Sequence, residues 1–474
     1  MVKNKSNNTI AILKEIYSNS ISISESEKKM KVMLVQQFIK NDMIPIMKRT
    51  DILFNLLYQE IFHTGSYFDG LRVNNANEFD LNVLLKIPGL KESAILFEDK
   101  ECDPGFATMK ILGNVQEHFD TQQKMYSKVD LLKRKLLQQE NNGWVLRPEK
   151  TRRWLQSILC KVLNGSELKH YYDKIGIESI SLKESGPAMT LQILLNSNCQ
   201  VDVDIVPAFV FKCRQILDLD YVGDELQRFW ESHMEAEFEE FGTLAIDENF
   251  FLIPKSKHHN SPQWRLSFTD LEKKILYQHG CAKMVIKLLK YFRDCNPELQ
   301  GLSSYSLKTL VMLMIRKDPT FEWKEENLPN IFLDSLTYLH QMLENEFLPF
   351  YFHPQSNVIE KLSKIHIFNM KCWLAKAKKK LELSKDAESG KSIWSKYFKQ
   401  DDSHVFSHEQ IENHSELIGA YETDEPRSIQ LNESETDSGN NNAVIFGGIG
   451  LGLIALGGAL IAASYVKNDQ KKRR

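Results

Sequence analysis

The sequence predicts an α+β fold: a mixed β-sheet lobe flanked by helices, then a helical lobe, then a C-terminal transmembrane helix. Three observations predict it. Runs with strand character, around Glu78–Ile87, Met189–Leu195 and Gln200–Phe211, alternate with helical stretches in the first half of the chain. From Phe268 to about Lys380 apolar residues recur almost wholly at helical spacing, as in Leu271–Leu276, Met284–Phe292, Ser306–Ile315 and Leu333–Leu343. Beyond a polar stretch, residues 443–466 read AVIFGGIGLGLIALGGALIAASYV without a single charge.

At 474 residues the chain exceeds one ordinary compact unit, so two lobes are expected. Net charge is −3, which excludes a polycation; affinity for nucleic acid must come from a local patch. The seven cysteines form no CxxC pair and are odd in number, as expected for reduced thiols rather than a disulfide frame. No long apolar run marks the first twenty residues, so a secretory signal is not expected.

In chain order, residues 1–23 read as a polar, flexible N-terminus. Ser24 to Gln59 reads as helix, opened by a capping box of Ser24 and Glu27 and kinked or split at Pro45. A turn at His63-Thr64-Gly65-Ser66 leads to the first strand. Residues 107–164 read as helical and basic. The sheet lobe is bounded as 24–265 and the helical lobe as 266–383. Residues 384–442 are rich in Ser, Asp, Glu and Asn and read as an acidic disordered linker. About 24 residues at a rise of 1.5 Å span roughly 36 Å, enough for 443–466 to cross a bilayer core. The basic tail 467–474 follows.

Glu78 and Asp80 stand two apart on a strand, so they share a face while Phe79, Leu81 and Val83 take the other. Two carboxylates that close repel unless a cation sits between them, and hard divalent ions prefer such oxygen ligands. A second acidic strand, Val201-Asp202-Val203-Asp204-Ile205-Val206-Pro207, offers a third carboxylate. Gly65-Ser66, a dozen residues before the first pair, is a glycine turn with a small hydroxyl, which lets backbone N–H groups approach a phosphate.

Gly-Ser, then E-x-D on a strand, then a later acidic strand resembles the nucleotidyltransferase superfamily. The block GSYFDGLRVNNANEFDLNVLLKIP at 65–88 is similar to the active-site opening of cyclic GMP-AMP synthase and the animal cyclic GMP-AMP synthase-like receptors. The similarity continues through KESGPAMTLQI at 183–193, VDIVPAF at 203–209, FLIPK at 251–255 and QWRLSFTDLEKKIL at 263–276. It resumes in KLLKYF at 287–292, SSYSLKT at 303–309 and FYFHPQSN at 350–357.

The resemblance implies a two-metal enzyme that joins ATP and GTP into a cyclic dinucleotide such as 2',3'-cGAMP. Glu78, Asp80 and Asp204 would hold two Mg²⁺ or Mn²⁺ ions; Asp204, not Asp202, matches the family position before Ile-Val-Pro. Gly65 and Ser66 would meet the triphosphate. Arg265, Ser267 and Glu272 would bind nucleotide, with Lys255 near a base. Lys290 and Lys308 would pair with phosphates, Ser304 would assist, and Tyr305 would stack on a base. The family's zinc-binding insertion is replaced by YQHGCAKMVI, with His279 and Cys281 but no cysteine pair, so no structural zinc is expected. This shorter form resembles the invertebrate receptors.

The family docks double-stranded nucleic acid on a basic face, and Lys133, Arg134, Lys135, Arg152 and Arg153 are the candidates here. Double-stranded RNA or DNA is the expected activator, gripped through phosphates with little sequence reading. A ligand-induced dimer is a further expectation. The rival reading is a catalytically silent nucleotide-binding adaptor on a membrane; loss of the metal carboxylates would mark it, and all three are present. A linear oligonucleotide synthase is a third. The terminal span implies a membrane-anchored protein with its catalytic domain in the cytosol, with the mitochondrial outer membrane as one address.

Overall fold

The computed structural model describes residues 3–21, 34–73, 77–219, 222–234, 248–255, 258, 260–318, 321–385 and 390–399. Residues Met1–Ser403 make one compact unit; His404–Arg474 is a second unit and lies outside the described residues.

An 11-stranded sheet organises the first unit. Its strands are β1 (Tyr58–Thr64), β2 (Glu78–Leu85), β3 (Ile95–Glu98), β4 (Phe106–Leu112), β5 (Leu137–Glu140), β6 (Gly143–Leu146), β7 (Ile177–Ser185), β8 (Ala188–Leu195), β9 (Gln200–Lys212), β10 (Asn249–Ile253) and β11 (Trp264–Ser267). The main path runs β1-β2-β9-β10-β11-β4-β6-β5, with β3 beside β4 and β7-β8 added to β9. Only β2 and β9 pair in parallel; the other pairs are antiparallel.

β9 explains its own sequence. Val201, Val203 and Ile205 alternate into the core while Asp202 and Asp204 take the opposite face. One edge pairs with β8 as far as Ile205 and with β10 from Phe209. Pro207 falls in the gap between them, where a residue without an N–H is accommodated in an interior strand.

Helices follow the sheet: Thr269–Gln278, Ala282–Asp294, Ser304–Lys317, Leu328–Glu344 and Lys364–Ser384. Ser304–Lys317 is buried on nearly every side, from Leu307 to Leu313 without a break, which fits a central helix. A two-stranded hairpin, Pro349–Phe350 with His353–Asn357, interrupts the helical run.

Several expectations are corrected. Among the described residues no helix is long and apolar enough to cross a membrane, and 443–466, the span that prompted the transmembrane helix, lies outside the described residues. The α+β fold therefore stands without a transmembrane helix, and the expected membrane anchoring, mitochondrial or other, is withdrawn with it. The N-terminus is not loose: Lys3–Ile16 is a helix with Ile12 and Leu13 buried, tied by Thr9 Oγ1 donating to the Lys385 carbonyl at 2.6 Å. The acidic linker does not begin at 384, since Gly390–Tyr397 is a helix whose Trp394 is fully buried; residues 400–442 lie outside the described residues.

The helix expected over 24–59 is shorter and divided. Its Ser24/Glu27 cap lies outside the described residues. Pro45 sits in the first turn of helix Ile44–Thr50, where its missing N–H leaves no bond unmade. Asp51 then caps Ile52–Leu57, accepting from the Phe54 amide at 2.8 Å. His63 and Thr64 end β1 rather than forming a turn. The stretch 107–164 holds β4, β5 and β6 as well as helices Val129–Leu136 and Pro148–Asn164.

Candidate functional site

The parallel pairing of β2 and β9 sets Glu78 opposite Asp202 and Asp80 opposite Asp204. β1 runs antiparallel on the far side of β2, with Thr64 opposite Asp80. The chain therefore enters the next turn, Gly65–Phe68, directly beside that carboxylate. Gly65 has φ +77°, and a Cβ there would overlap the Asp80 carboxylate. Both facts demand glycine. Gly65→Ala relieves the overlap only by moving Asp80. It should destabilise the protein by about 1–3 kcal/mol; an unchanged denaturation midpoint would refute the close packing of turn and carboxylate.

Two residues that the sequence reading did not pick out complete this end of the site. Arg72 Nη1 donates to Glu78 Oε2 at 3.0 Å and reaches Ser66 Oγ at 3.4 Å. Thr190 Oγ1, opposite Asp204 across the β8–β9 ladder, donates to Asp204 Oδ1 at 2.5 Å. Asp80 is left as the carboxylate in difficulty. Burial above all, then Glu78 and Asp204, push its pKa up to about 7, and Arg72 opposes only in part. Among the described residues no group of three or more His, Cys, Asp and Glu is arranged as a ready metal cage; Glu78 accepts from Arg72 and Asp204 from Thr190. The cluster is nonetheless all-oxygen and short of positive charge, which fits Mg²⁺ or Mn²⁺.

The other predicted residues gather around a second centre. Arg265 and Ser267 on β11 lie opposite Ile253 and Phe251 of β10. The exposed Lys255 stands two residues beyond β10, after Pro254. The Arg265 guanidinium lies 5.5 Å from the centre of the Tyr305 ring, and Ser267 Oγ meets Thr269 Oγ1 at 2.9 Å. Tyr305 OH donates to Glu272 Oε1 at 2.7 Å. Glu272 and Lys308 are both buried, at 3% and 6% exposure. Rather than facing open space, Lys308 Nζ binds Glu272 Oε2 and Asp69 Oδ2, each at 2.9 Å.

Burial alone would lower the Lys308 pKa; the two carboxylates outweigh it and raise it. Asp69, four residues past Gly65, is the third residue the sequence reading missed. It is buried at 6% and joins the Gly-Ser turn to the helices carrying Glu272 and Lys308. Its position just after Gly-Ser-Tyr-Phe was the available signal, yet an acid after a turn is too common to single out.

Lys290 is buried and donates to the Leu71 carbonyl at 2.8 Å, so it grips the same loop from the other side. Burial first, then Arg293 and Arg72, lower its pKa to about 8. Ser304 Oγ accepts from Arg293 Nη1 at 3.3 Å. His279 Nδ1 contacts the Ile275 carbonyl, and Cys281 is buried in the core.

Of the basic candidates, Lys133 lies over the Trp144 ring and near Asp130, Arg152 pairs with Glu184, and Arg153 pairs with Glu149. Arg134 and Lys135 are exposed on helix Val129–Leu136.

Two family models match the chain: the Mab-21 protein nucleotidyltransferase domain over residues 67–278 and the Mab-21 protein HhH/H2TH-like domain over 281–375. Together they take in well over half of it. The chain belongs to the Mab-21 nucleotidyltransferase family. The first match contains Glu78, Asp80, Asp204 and the Arg265–Glu272 block, and the second contains Lys290 and Ser304–Lys308. Among its relatives are proteins named cyclic GMP-AMP synthase-like receptor. That of Aethina tumida is 28% identical over 376 residues, 78% of this chain and 86% of the relative. That of Tribolium castaneum is 28% identical over 370 residues, 76% and 85%. The Drosophila melanogaster protein, cyclic GMP-AMP synthase-like receptor 2, is 24% identical over 339 residues, 70% and 68%.

Proposed function

We propose that this member of the family joins ATP and GTP, in two steps, into a cyclic dinucleotide such as 2',3'-cGAMP, on sensing double-stranded nucleic acid in innate immune signalling. The observation that carries the reading is the parallel β2–β9 register, which sets Asp80 against Asp204 with the Gly65 turn pressed onto Asp80. The names of the relatives supply the product class.

In this reading Glu78, Asp80 and Asp204 hold two Mg²⁺ or Mn²⁺ ions. When bound, such ions lower the pKa of an attacking ribose hydroxyl and neutralise charge on the leaving pyrophosphate. The Gly65 turn offers its backbone and the Ser66 hydroxyl to the triphosphate, and Lys290 and Ser304 add to its phosphate contacts. The exposed Lys255, Arg265, Ser267 and the half-buried Tyr305 ring form the wall against which a base stacks. Glu272 and Lys308 act through Asp69, holding the turn at the height its substrate needs. Arg134 and Lys135, with the paired Lys133, Arg152 and Arg153 around them, offer phosphate contacts to a duplex activator of RNA or DNA.

The test is direct. Purified protein is incubated with labelled ATP and GTP, Mg²⁺ or Mn²⁺, and double-stranded RNA or DNA. The expected product is a cyclic dinucleotide, made faster with duplex and lost when Glu78 and Asp80 are both replaced by alanine. Synthesis retained by the double variant would remove the site, and linear products would move the protein to oligonucleotide synthesis.

A further inference from the structure

We propose that Arg72 is the internal counter-ion of the ligand-free site: it holds Glu78 and Ser66 together until a divalent cation and a triphosphate displace it, and it then pairs with the triphosphate. The idea rests on the nucleotidyltransferase reading above and adds a residue that this reading leaves without a role.

The geometry is specific. One guanidinium nitrogen, Nη1, serves both partners, at 3.0 Å from Glu78 Oε2 and 3.4 Å from Ser66 Oγ. Those are the two groups given separate tasks above, one toward metal and one toward phosphate. Arg72 therefore stands at the junction of the two subsites.

Its backbone is fixed while its side chain is the element that can swing. Leu71 and Val73 on either side are buried, at 3% and 8% exposure. The Leu71 amide donates to the Ser66 carbonyl at 2.8 Å, and the Leu71 carbonyl accepts from Lys290 at 2.8 Å. The Arg72 side chain is 20% exposed and the Glu78 side chain 52%. The pair thus opens to solvent on the Glu78 side, where a cation arrives.

A guanidinium and a divalent ion gathered at one carboxylate repel each other and compete for its charge. Metal entry therefore works against the Arg72 contact, and Arg72 weakens binding of the bare ion. Once released, Arg72 is still anchored next to Ser66, and a planar guanidinium is well suited to phosphate oxygens. It then strengthens binding of the triphosphate. The two effects have opposite signs, and the site is biased toward taking metal and nucleotide together rather than metal alone.

The experiment uses the full chain and reads binding rather than turnover. Free Mn²⁺ is followed by electron paramagnetic resonance, without nucleotide and then with α,β-methylene ATP. Arg72→Ala is expected to bind Mn²⁺ alone about twofold to fivefold more tightly, the range a partly exposed ion pair supports, and to bind the ATP analogue several-fold more weakly. Arg72→Lys, which keeps the charge, should recover most of the analogue affinity. Arg72→Gln keeps a donor without charge and should follow alanine; it serves if alanine fails to fold. Mn²⁺ binding that is unchanged or weaker in Arg72→Ala and Arg72→Gln overturns the proposal while leaving the catalytic reading intact. If the wild-type chain binds neither Mn²⁺ nor the analogue, the catalytic reading falls and takes this proposal with it.

Discussion

Asp80→Asn is expected to abolish nucleotide joining while making the ligand-free protein more stable. If Asp80 is a shared metal carboxylate, as the proposed function has it, its loss removes several kcal/mol of transition-state stabilisation, about a 10³-fold loss of rate or more. The gain in stability comes from the same cause that raises the Asp80 pKa to about 7: burial, with Glu78 and Asp204 alongside. Between the unfolded value of 3.8 and about 7 the folded chain keeps a proton that the unfolded chain has released. Stability of the ligand-free wild type therefore falls as pH rises through that window and levels off above it. At pH 8 the ionised carboxylate disfavours the fold by on the order of a few kcal/mol. Thermal melts of the two proteins should differ most at pH 8, with the Asp80→Asn variant higher, and should converge as pH is lowered toward about 4. A wild type that melts higher than the variant at pH 8 would contradict the charge strain.

Lys308→Met should be among the most damaging single substitutions for folding. It leaves Asp69 and Glu272 facing each other at 6% and 3% exposure without their shared cation. Breaking a buried pair from one side costs about 3–5 kcal/mol, because the remaining charge stays desolvated. The midpoint of denaturant unfolding should drop accordingly. A variant that also carries Asp69→Asn and Glu272→Gln should regain most of the loss, since both carboxylates lose their charge with the lysine and Lys273, which also meets Asp69, is 28% exposed. If Lys308→Met alone moves stability by less than about 1 kcal/mol, the triad is not the strut described above.

The carboxylates of the site could be read from the chain because strand alternation is local. Phe79, Leu81 and Val83 announce which face is buried, and Glu78 and Asp80 must then share the other. What alternation cannot supply is the partner strand. That Asp80 meets Asp204 depends on a parallel pairing across more than a hundred residues, and only the resemblance to known proteins selected Asp204 over Asp202. Arg72, Asp69 and Thr190 escaped notice because each owes its place to a fold-level contact. An arginine in a polar loop, an acid after a turn and a threonine on a strand are all ordinary in isolation.

The fold was legible where periodicity was strong, as in β8, β9 and the late helices. It failed over β5 and β6, strands of only four residues, over β1, whose charged and amide residues break the alternation, and over β4, which sits in a stretch read as helical. The terminal helices were missed for another reason. Lys3–Ile16 and Gly390–Tyr397 are polar overall, and among the described side chains their buried apolar residues form a narrow stripe, Ile12 and Leu13 in one and Trp394 in the other. A stripe that thin does not register against a polar background.

The hydrogen bond from Thr9 to the Lys385 carbonyl joins residues 376 apart. At a synthesis rate of about 5–20 residues per second, the first helix waits on the order of 20–75 s on the ribosome before its partner exists. During that time Lys3–Ile16 waits for the late helices Leu328–Glu344 and Gly390–Tyr397 that it packs against. This helix is thus seated late. A fusion or tag that hinders Lys3–Ile16 should trouble the end of biosynthesis rather than its beginning.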